Sequence, residues 1–103
     1  MASFRLGNLH FAWDDEKAVS NLVKHGVSFY EAATAFLDEY AEMDSDPDHS
    51  EKEHRFLLLA TSAKRRMLVV VHVERGLHQR IISARLDKPH ERRRYEQTRI
   101  GRR

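Results

Sequence analysis

The sequence predicts an α+β fold in which two N-terminal helices and a C-terminal helix pack on an antiparallel sheet of about four strands. Three observations point there. Two helix-start signals follow one another closely in the first third of the chain, three strand-like segments occupy residues 56–85, and a proline-led, arginine-rich segment closes it. Helices grouped before and after a run of strands are the pattern of helices laid on an antiparallel sheet.

Leu9–Trp13 alternates, with Leu9, Phe11 and Trp13 on one side, and reads as a short strand. Asp14 is placed as an N-cap, and Asp15 and Glu16 put negative charge where the helix dipole favours it. This helix runs to about His25, because Gly26 can take the left-handed conformation that ends helices. Its apolar stripe is Ala18, Val19, Leu22 and Val23, while Asp14, Lys17, Asn21 and Lys24 fall on another face. Ser28 and Glu31 then form a capping box, with Val27 and Ala32 as a weak staple around it. Phe29, Ala32, Ala33, Phe36 and Leu37 continue a helical stripe to about Asp38.

Tyr40–Met43 reads as a weak edge strand, and Asp44–His54, rich in carboxylates, as a solvated loop. Phe56–Thr61 and Met67–Val73 are continuous apolar runs suited to central strands. Gln79–Arg85 makes a third strand, with turns at Lys64–Arg66 and Arg75–Gly76. The last helix runs from about Pro89 to Thr98, proline being welcome in a first turn, and Thr98–Arg103 is expected to be a mobile tail.

At 103 residues with 41% hydrophobic and 33% charged residues, the expectation is one domain over residues 1–103. The absence of cysteine excludes a disulfide scaffold, a thiolate zinc site and a cysteine nucleophile. No apolar run approaches the ~20 residues of a membrane span, and residues 1–9 lack a signal-peptide core, so a cytoplasmic protein without a membrane partner is expected. The net charge of +2 hides a split: residues 1–79 carry 9 Lys/Arg against 13 Asp/Glu, and residues 80–103 carry 9 against 3. A basic C-terminal quarter implies an anion-binding surface, for phosphates or an acidic protein.

Most familiar chemistries fail on the residues. Asp44, Asp46 and Asp48 open like a calcium loop, but His49 stands where glycine is needed and Arg55 where a bidentate glutamate is needed. There is no H-E-x-x-H, no G-x-S-x-G and no phosphate-cradling glycine loop, so no metal and no cofactor are expected. RNA, however, carries its own nucleophile in the 2′-hydroxyl. Cleaving it requires only groups that move protons and cations that stabilise the charged transition state. His72 is read either as a hydrogen-bonded core histidine or as an active-site group. Arg80 and Arg85 differ by five positions, so a regular strand points them to opposite faces. Arg85 lies at a strand-to-helix junction, where anions often bind. Lys24 and His25 end the first helix, where the dipole alone can account for them. Tyr95 sits four residues after Glu91, so one side of the last helix can pack while Arg92, Arg93 and Arg94 face outward.

Several ordered words carry a family resemblance. F-x-W-D-x-x-K at Phe11–Lys17, N-x-x-K-H-G-V-x-F at Asn21–Phe29 and E-A-A at Glu31–Ala33 resemble the N-terminal half of the BrnT toxin family. D-P-D-H-S-E at Asp46–Glu51, E-x-R-F at Glu53–Phe56 and V-V-V-H-x-E-R-G at Val69–Gly76 look like its middle. R-I-I-S-A-R at Arg80–Arg85 and E-R-R-x-Y-E at Glu91–Glu96 are similar to its close, so about residues 11–96 are covered. The family's threonine cap before the last helix is replaced here by Lys88, leaving Asp87 as the candidate cap.

The resemblance implies a RelE-like fold and a toxin of a type II toxin–antitoxin pair, a ribonuclease that stops translation. It implies a BrnA-like antitoxin with a ribbon-helix-helix part, through which the complex binds operator DNA and represses its own promoter. Carried onto the matching words, the expected catalytic set is Lys24, His25, Arg55, Arg80 and Arg85, followed by His72, Glu53 and Tyr95. Arginines would hold the scissile phosphate, a histidine or glutamate would handle the 2′-proton, and Arg92, Arg93 and Arg94 would contact RNA or the antitoxin. The rival reading is a non-catalytic module that binds nucleic acid or protein.

Overall fold

The computed structural model describes residues 1–46 and 53–101. Its elements run β1 (Ala2–Leu6), β2 (Leu9–Trp13), α1 (Asp15–His25), α2 (Phe29–Thr34) with a 3-10 turn at Ala35–Leu37, β3 (Glu42–Ser45), β4 (Arg55–Thr61), β5 (Met67–Arg75), β6 (His78–Leu86) and α3 (Pro89–Gly101). The strands form one six-stranded sheet in the order β1-β2-β6-β5-β4-β3. All neighbours are antiparallel except β2 and β6, which run parallel. The α+β class therefore holds, but the expected sheet of about four antiparallel strands is corrected to a mixed sheet of six.

The unforeseen strand is β1. Ala2, Phe4 and Leu6 alternate with Ser3 and Arg5, and a two-residue turn with Gly7 at φ 56° folds the segment back onto β2. The parallel pairing follows from topology. Two helices and three strands intervene before β6 returns to close the free edge of β2. At the opposite edge, β3 lies two residues later than expected and carries Glu42 and Asp44, charges that discourage edge-to-edge pairing. The expected loop at 44–54 therefore begins later, and its residues 47–52 lie outside the described residues.

Helices cover both faces. On one, Phe11, Trp13, Phe29, Leu68, Val70 and Ile81 join residues of α2 in the main core. Edge-to-face contacts of Trp13 with Phe29 and Tyr30, at 5.8 and 5.0 Å, fasten α2 to β2. On the other face, Tyr95 of α3 packs with Leu59, Met67 and Val69 in a smaller cluster.

The caps of α1 are as expected: Asp14 accepts from the amides of Glu16 and Lys17, and Gly26 ends the helix at φ 68°. Its orientation is not. Val19, Leu22 and Val23 are 66, 52 and 84% exposed, so three of the four residues of the apolar stripe face outward and Ala18 alone packs on the core. The buried residue is Asn21, whose Nδ2 donates to the carbonyls of Val27 (2.9 Å) and Ala84 (2.8 Å) while its Oδ1 accepts from the Ala84 amide (3.1 Å). One amide side chain thereby satisfies three backbone groups at the α1–β6 contact, which fixes the rotation of the helix against its hydrophobic pattern.

The capping box is also half as expected. Ser28 caps the Glu31 amide at 3.0 Å, but the Glu31 carboxylate turns inward to Arg66 and Ser62. Arg66 also donates to the Gly26 carbonyl at 2.9 Å, so the β4–β5 turn is clamped to both N-terminal helices. Finally, α3 continues to Gly101, which places residues 98–101 in helix rather than in a tail; residues 102–103 lie outside the described residues.

Candidate nucleic-acid interface

The register of β5 and β6 decides which side chains meet. Val71 pairs Ser83, yet His72 pairs Ile81, so β6 carries one extra residue, Ile82, as a bulge. A bulge reverses the inside–outside alternation beyond it. Arg80 opposite Val73 and Arg85 opposite Val69 therefore lie on the same face, correcting the opposite-face expectation of a regular strand. That face is the α3 side, because Val69 belongs to the Tyr95 cluster.

The pairing then lays out rows across the sheet. One row runs Ser3, Ala12, Arg80, Val73, Arg55 over five strands. Two residues further along, a second runs Arg5, His10, His78, Arg75 over four. α3 covers the opposite end of this face, around Leu59, Met67 and Val69, so both rows stay open. Apart from Arg55, they line a cavity of about 680 Å³ bounded by Ser3, Arg5, His10, His78, Arg75 and Arg80, among others.

Glu53 stands beside this cavity, 3.5 Å from both Arg75 and Arg80 and only 28% exposed. It is a carboxylate held among arginines next to an open basic surface. Arg55 is partly buried on the adjoining strand. Arg85, further along the face, is gripped by Glu91 through two bonds of 2.9 Å. The bond from Arg85 holds the Glu91 carboxyl below the usual carboxylate range. Glu91 also accepts from the Lys88 amide at 2.8 Å and so caps α3, while Asp87, the candidate cap, pairs with Arg92 at 2.8 Å.

The remaining expected residues are placed elsewhere. His72 is fully buried on the opposite face, between Phe36 and Phe56, with Nδ1 donating to Gln79 Oε1 at 3.1 Å. Burial pushes its pKa down to about 4, the hydrogen bond to Gln79 opposing this only in part. It is a neutral core imidazole rather than a group open to the cavity. Lys24 and His25 end α1, which also packs on that opposite face. Tyr95 lies on the α3 face but is buried; its hydroxyl donates to Asp38 at 2.7 Å and accepts from Thr61 at 3.3 Å. Burial first, then the Asp38 carboxylate, raises its pKa.

Arg94 pairs with Glu42 at 2.7 Å and with Asp44, and Arg92 is engaged by Asp87, so two of the three arginines at positions 92–94 fasten α3. Arg93 is exposed and makes no ion pair among the described residues. The structure thus brings Glu53, Arg55, Arg80 and Arg85 onto one face and leaves Lys24, His25 and His72 off it. Sequence reasoning missed Arg5, His10, Arg75 and His78. The available signal was alternation: Ser3 and Arg5, His10, and His78 and Arg80 lie in one phase of three strands whose other phase is apolar or buried. Among the described residues no group of three or more His, Asp or Glu side chains is arranged to hold a metal ion, and no helix is long and apolar enough to cross a membrane.

Comparison with known proteins adds independent observations. A family model described as the ribonuclease toxin BrnT of type II toxin–antitoxin systems matches residues 13–91. Among solved structures the chain is similar to the ribonuclease toxin BrnT of Brucella abortus, determined at 1.1 Å, with a TM-score of 0.55 and 18% identity over 76% of this chain and 95% of that one. At that identity the likeness speaks for the fold. A comparison with curated protein sequences finds no match. The family match spans most of the chain and shares its α+β fold with a solved member, so this chain belongs to the BrnT family of type II toxin–antitoxin toxins.

Proposed function

We propose that the chain is a metal-independent endoribonuclease that cleaves RNA through the substrate's own 2′-hydroxyl and thereby inhibits translation. The observation that carries this reading is the row formed by Arg80 and Arg55 on an open sheet face with Glu53 beside it. Arg55 and Arg80 sit two strands apart, roughly 9.5 Å between backbones, so both guanidinium groups can reach one phosphate placed over Val73. Their fixed donors stabilise the dianionic, phosphorane-like transition state. Glu53 accepts the 2′-proton as the 2′-oxygen forms its bond to phosphorus. The bond to the 5′-oxygen breaks, and that oxygen takes a proton from water in the open groove. The products are a 2′,3′-cyclic phosphate and a 5′-hydroxyl.

Arg85 extends the cationic face towards α3, and Arg93 offers a further contact to RNA or to a protein partner. In keeping with its family, the chain acts as the toxin half of a pair, neutralised by a BrnA-like antitoxin with a ribbon-helix-helix part. Operator DNA is bound only through that antitoxin, and the complex represses its own promoter in the cytoplasm.

Purified chain is expected to turn over excess RNA in EDTA and leave cyclic-phosphate ends. Arg55→Ala/Arg80→Ala is expected to lower kcat by about 100-fold or more without changing the thermal midpoint by more than a few degrees. Stoichiometric RNA binding without turnover would instead identify a binding module. Unchanged cleavage by the double variant would remove these arginines from the site. In cells, growth arrest on expression should be relieved by co-expressing the adjacent antitoxin gene.

A further inference from the structure

We propose that the N-terminal hairpin builds a second nucleotide subsite beside the cleavage row, a box of Arg5, His10, Arg75 and His78 that binds a flanking nucleotide of single-stranded RNA. The proposal rests on the reading above in taking the ligand to be RNA. It is carried by the register: these four residues form one row across β1, β2, β6 and β5 on the same face as Arg80. They also wall the same cavity of about 680 Å³.

The two rows lie two residues apart, roughly 6.6–6.8 Å along the strands. That spacing is of the order of the step between successive phosphates in an extended strand. A nucleotide chain whose scissile phosphate lies over Arg80 and Arg55 therefore presents its neighbour to this box.

Each member has a role suited to that neighbour. His10 and His78 are stacked, with ring centroids 4.8 Å apart and planes at 27°, and His78 is exposed. Such a pair offers an outward π-face to an unstacked base, as aromatic and histidine side chains do in single-strand recognition. Arg5 is exposed and has no carboxylate partner among the described residues; its Nε donates to the Gly7 carbonyl at 3.0 Å, which steadies the side chain. Arg75 is 79% exposed and only loosely paired to Glu53. These two arginines flank the imidazoles and suit the flanking phosphate.

Arg5 and His10 precede the segment 13–91 that the family model matches, so half the box comes from outside the matched segment. The subsite would set substrate length and local base preference without taking part in bond breaking.

The test compares the full-length wild type with Arg5→Ala/His78→Ala and with His78→Phe. The probes are a 2′-O-methyl hexaribonucleotide and a 2′-O-methyl dinucleotide, which are bound but cannot be cut. The double variant is expected to weaken hexamer binding about 10-fold and leave dinucleotide binding unchanged. His78→Phe, which keeps a π-face, is expected to stay within about 3-fold of the wild type. On cleavable RNA the double variant should raise KM by a similar factor with kcat unchanged.

Equal hexamer affinity in wild type and double variant, equal weakening of both probes, failure of the wild type to bind the hexamer, or a His78→Phe defect beyond 3-fold would each overturn the subsite. A wild type that binds the hexamer through this box but never cleaves RNA would sink the ribonuclease reading and leave the subsite standing.

Discussion

The two faces of the sheet are held together differently. On the α1/α2 side, thirteen buried apolar residues form one cluster, and two of the polar groups there, Asn21 and Glu31, are enclosed and matched to partners. On the α3 side the buried cluster has four members, and α3 contributes a single buried residue, Tyr95. Charge does the rest there, through Arg85–Glu91, Arg94–Glu42 and Arg94–Asp44. Burial of apolar area stabilises more reliably than exposed ion pairs, which contribute little individually. Stability is therefore concentrated on one face, and the other can keep an open arginine-rich groove.

Breaking the first face should give the largest effect. Phe11 is 1% exposed in the main cluster, and Phe11→Ala is expected to destabilise the fold by about 3–5 kcal/mol in denaturant unfolding. A loss below ~1 kcal/mol would show that this face is not the principal core.

Acid probes the same face more gently. His72 ionises at about 4 in the fold against 6.5 ordinarily, so the unfolded chain binds the proton more readily. Its contribution is complete above pH 6.5 and is lost as pH falls from there towards 4, by about 3 kcal/mol in all. Glu31 and Glu91 have lowered pKa values, so their contributions fade only at lower pH, below about 4.5. The decline between pH 6.5 and 4.5 should therefore vanish in His72→Gln, which keeps a donor for Gln79. An unchanged slope in that variant would place the titration elsewhere.

The smallest effect belongs to the second face. Tyr95→Phe removes the hydroxyl bonded to Asp38 and should cost about 1–2 kcal/mol, read as a lower thermal midpoint. A change near zero would mean that the Arg94 and Arg85 ion pairs hold α3 without it.

What could be read from the sequence was what is decided locally. Asp14, Gly26 and Ser28 cap as expected, since capping depends on a few neighbouring residues. Strands β4 and β5 were visible as apolar runs for the same reason. The rotation of α1 was not legible, because three bonds from Asn21, two of them to a residue 63 positions away, outweigh the stripe of Val19, Leu22 and Val23. The parallel β2–β6 pairing was equally hidden, being a consequence of strand order. For the candidate site, the arginines of β4 and β6 were legible as residues, while their common face depended on pairing. Arg5 went unseen because the first nine residues show a strand only once their alternation is set against that of β2, and His10, on a strand that was legible, because its place beside His78 depends on the β2–β6 pairing.

The bulge at Ile82 has a consequence for how such a chain can change. An insertion of one residue acts as a phase shifter: Ser83–Leu86 and His78–Ile81 each alternate regularly, but out of step with one another. Removing Ile82 would restore a single phase without moving either set, since Ser83 opposite Val71 and Ile81 opposite His72 would become consecutive pairs and Arg80 and His78 would stay on the open face. Were Ile82 instead drawn into the ladder opposite His72, composition and charge would not change at all, yet Ile81 and Gln79 would take the open face and the groove would lose its central cation and one of its stacked rings. In this strand a deletion at the bulge is a smaller event than a change of pairing, because the side a residue offers follows its partner on β5 rather than its place in the chain.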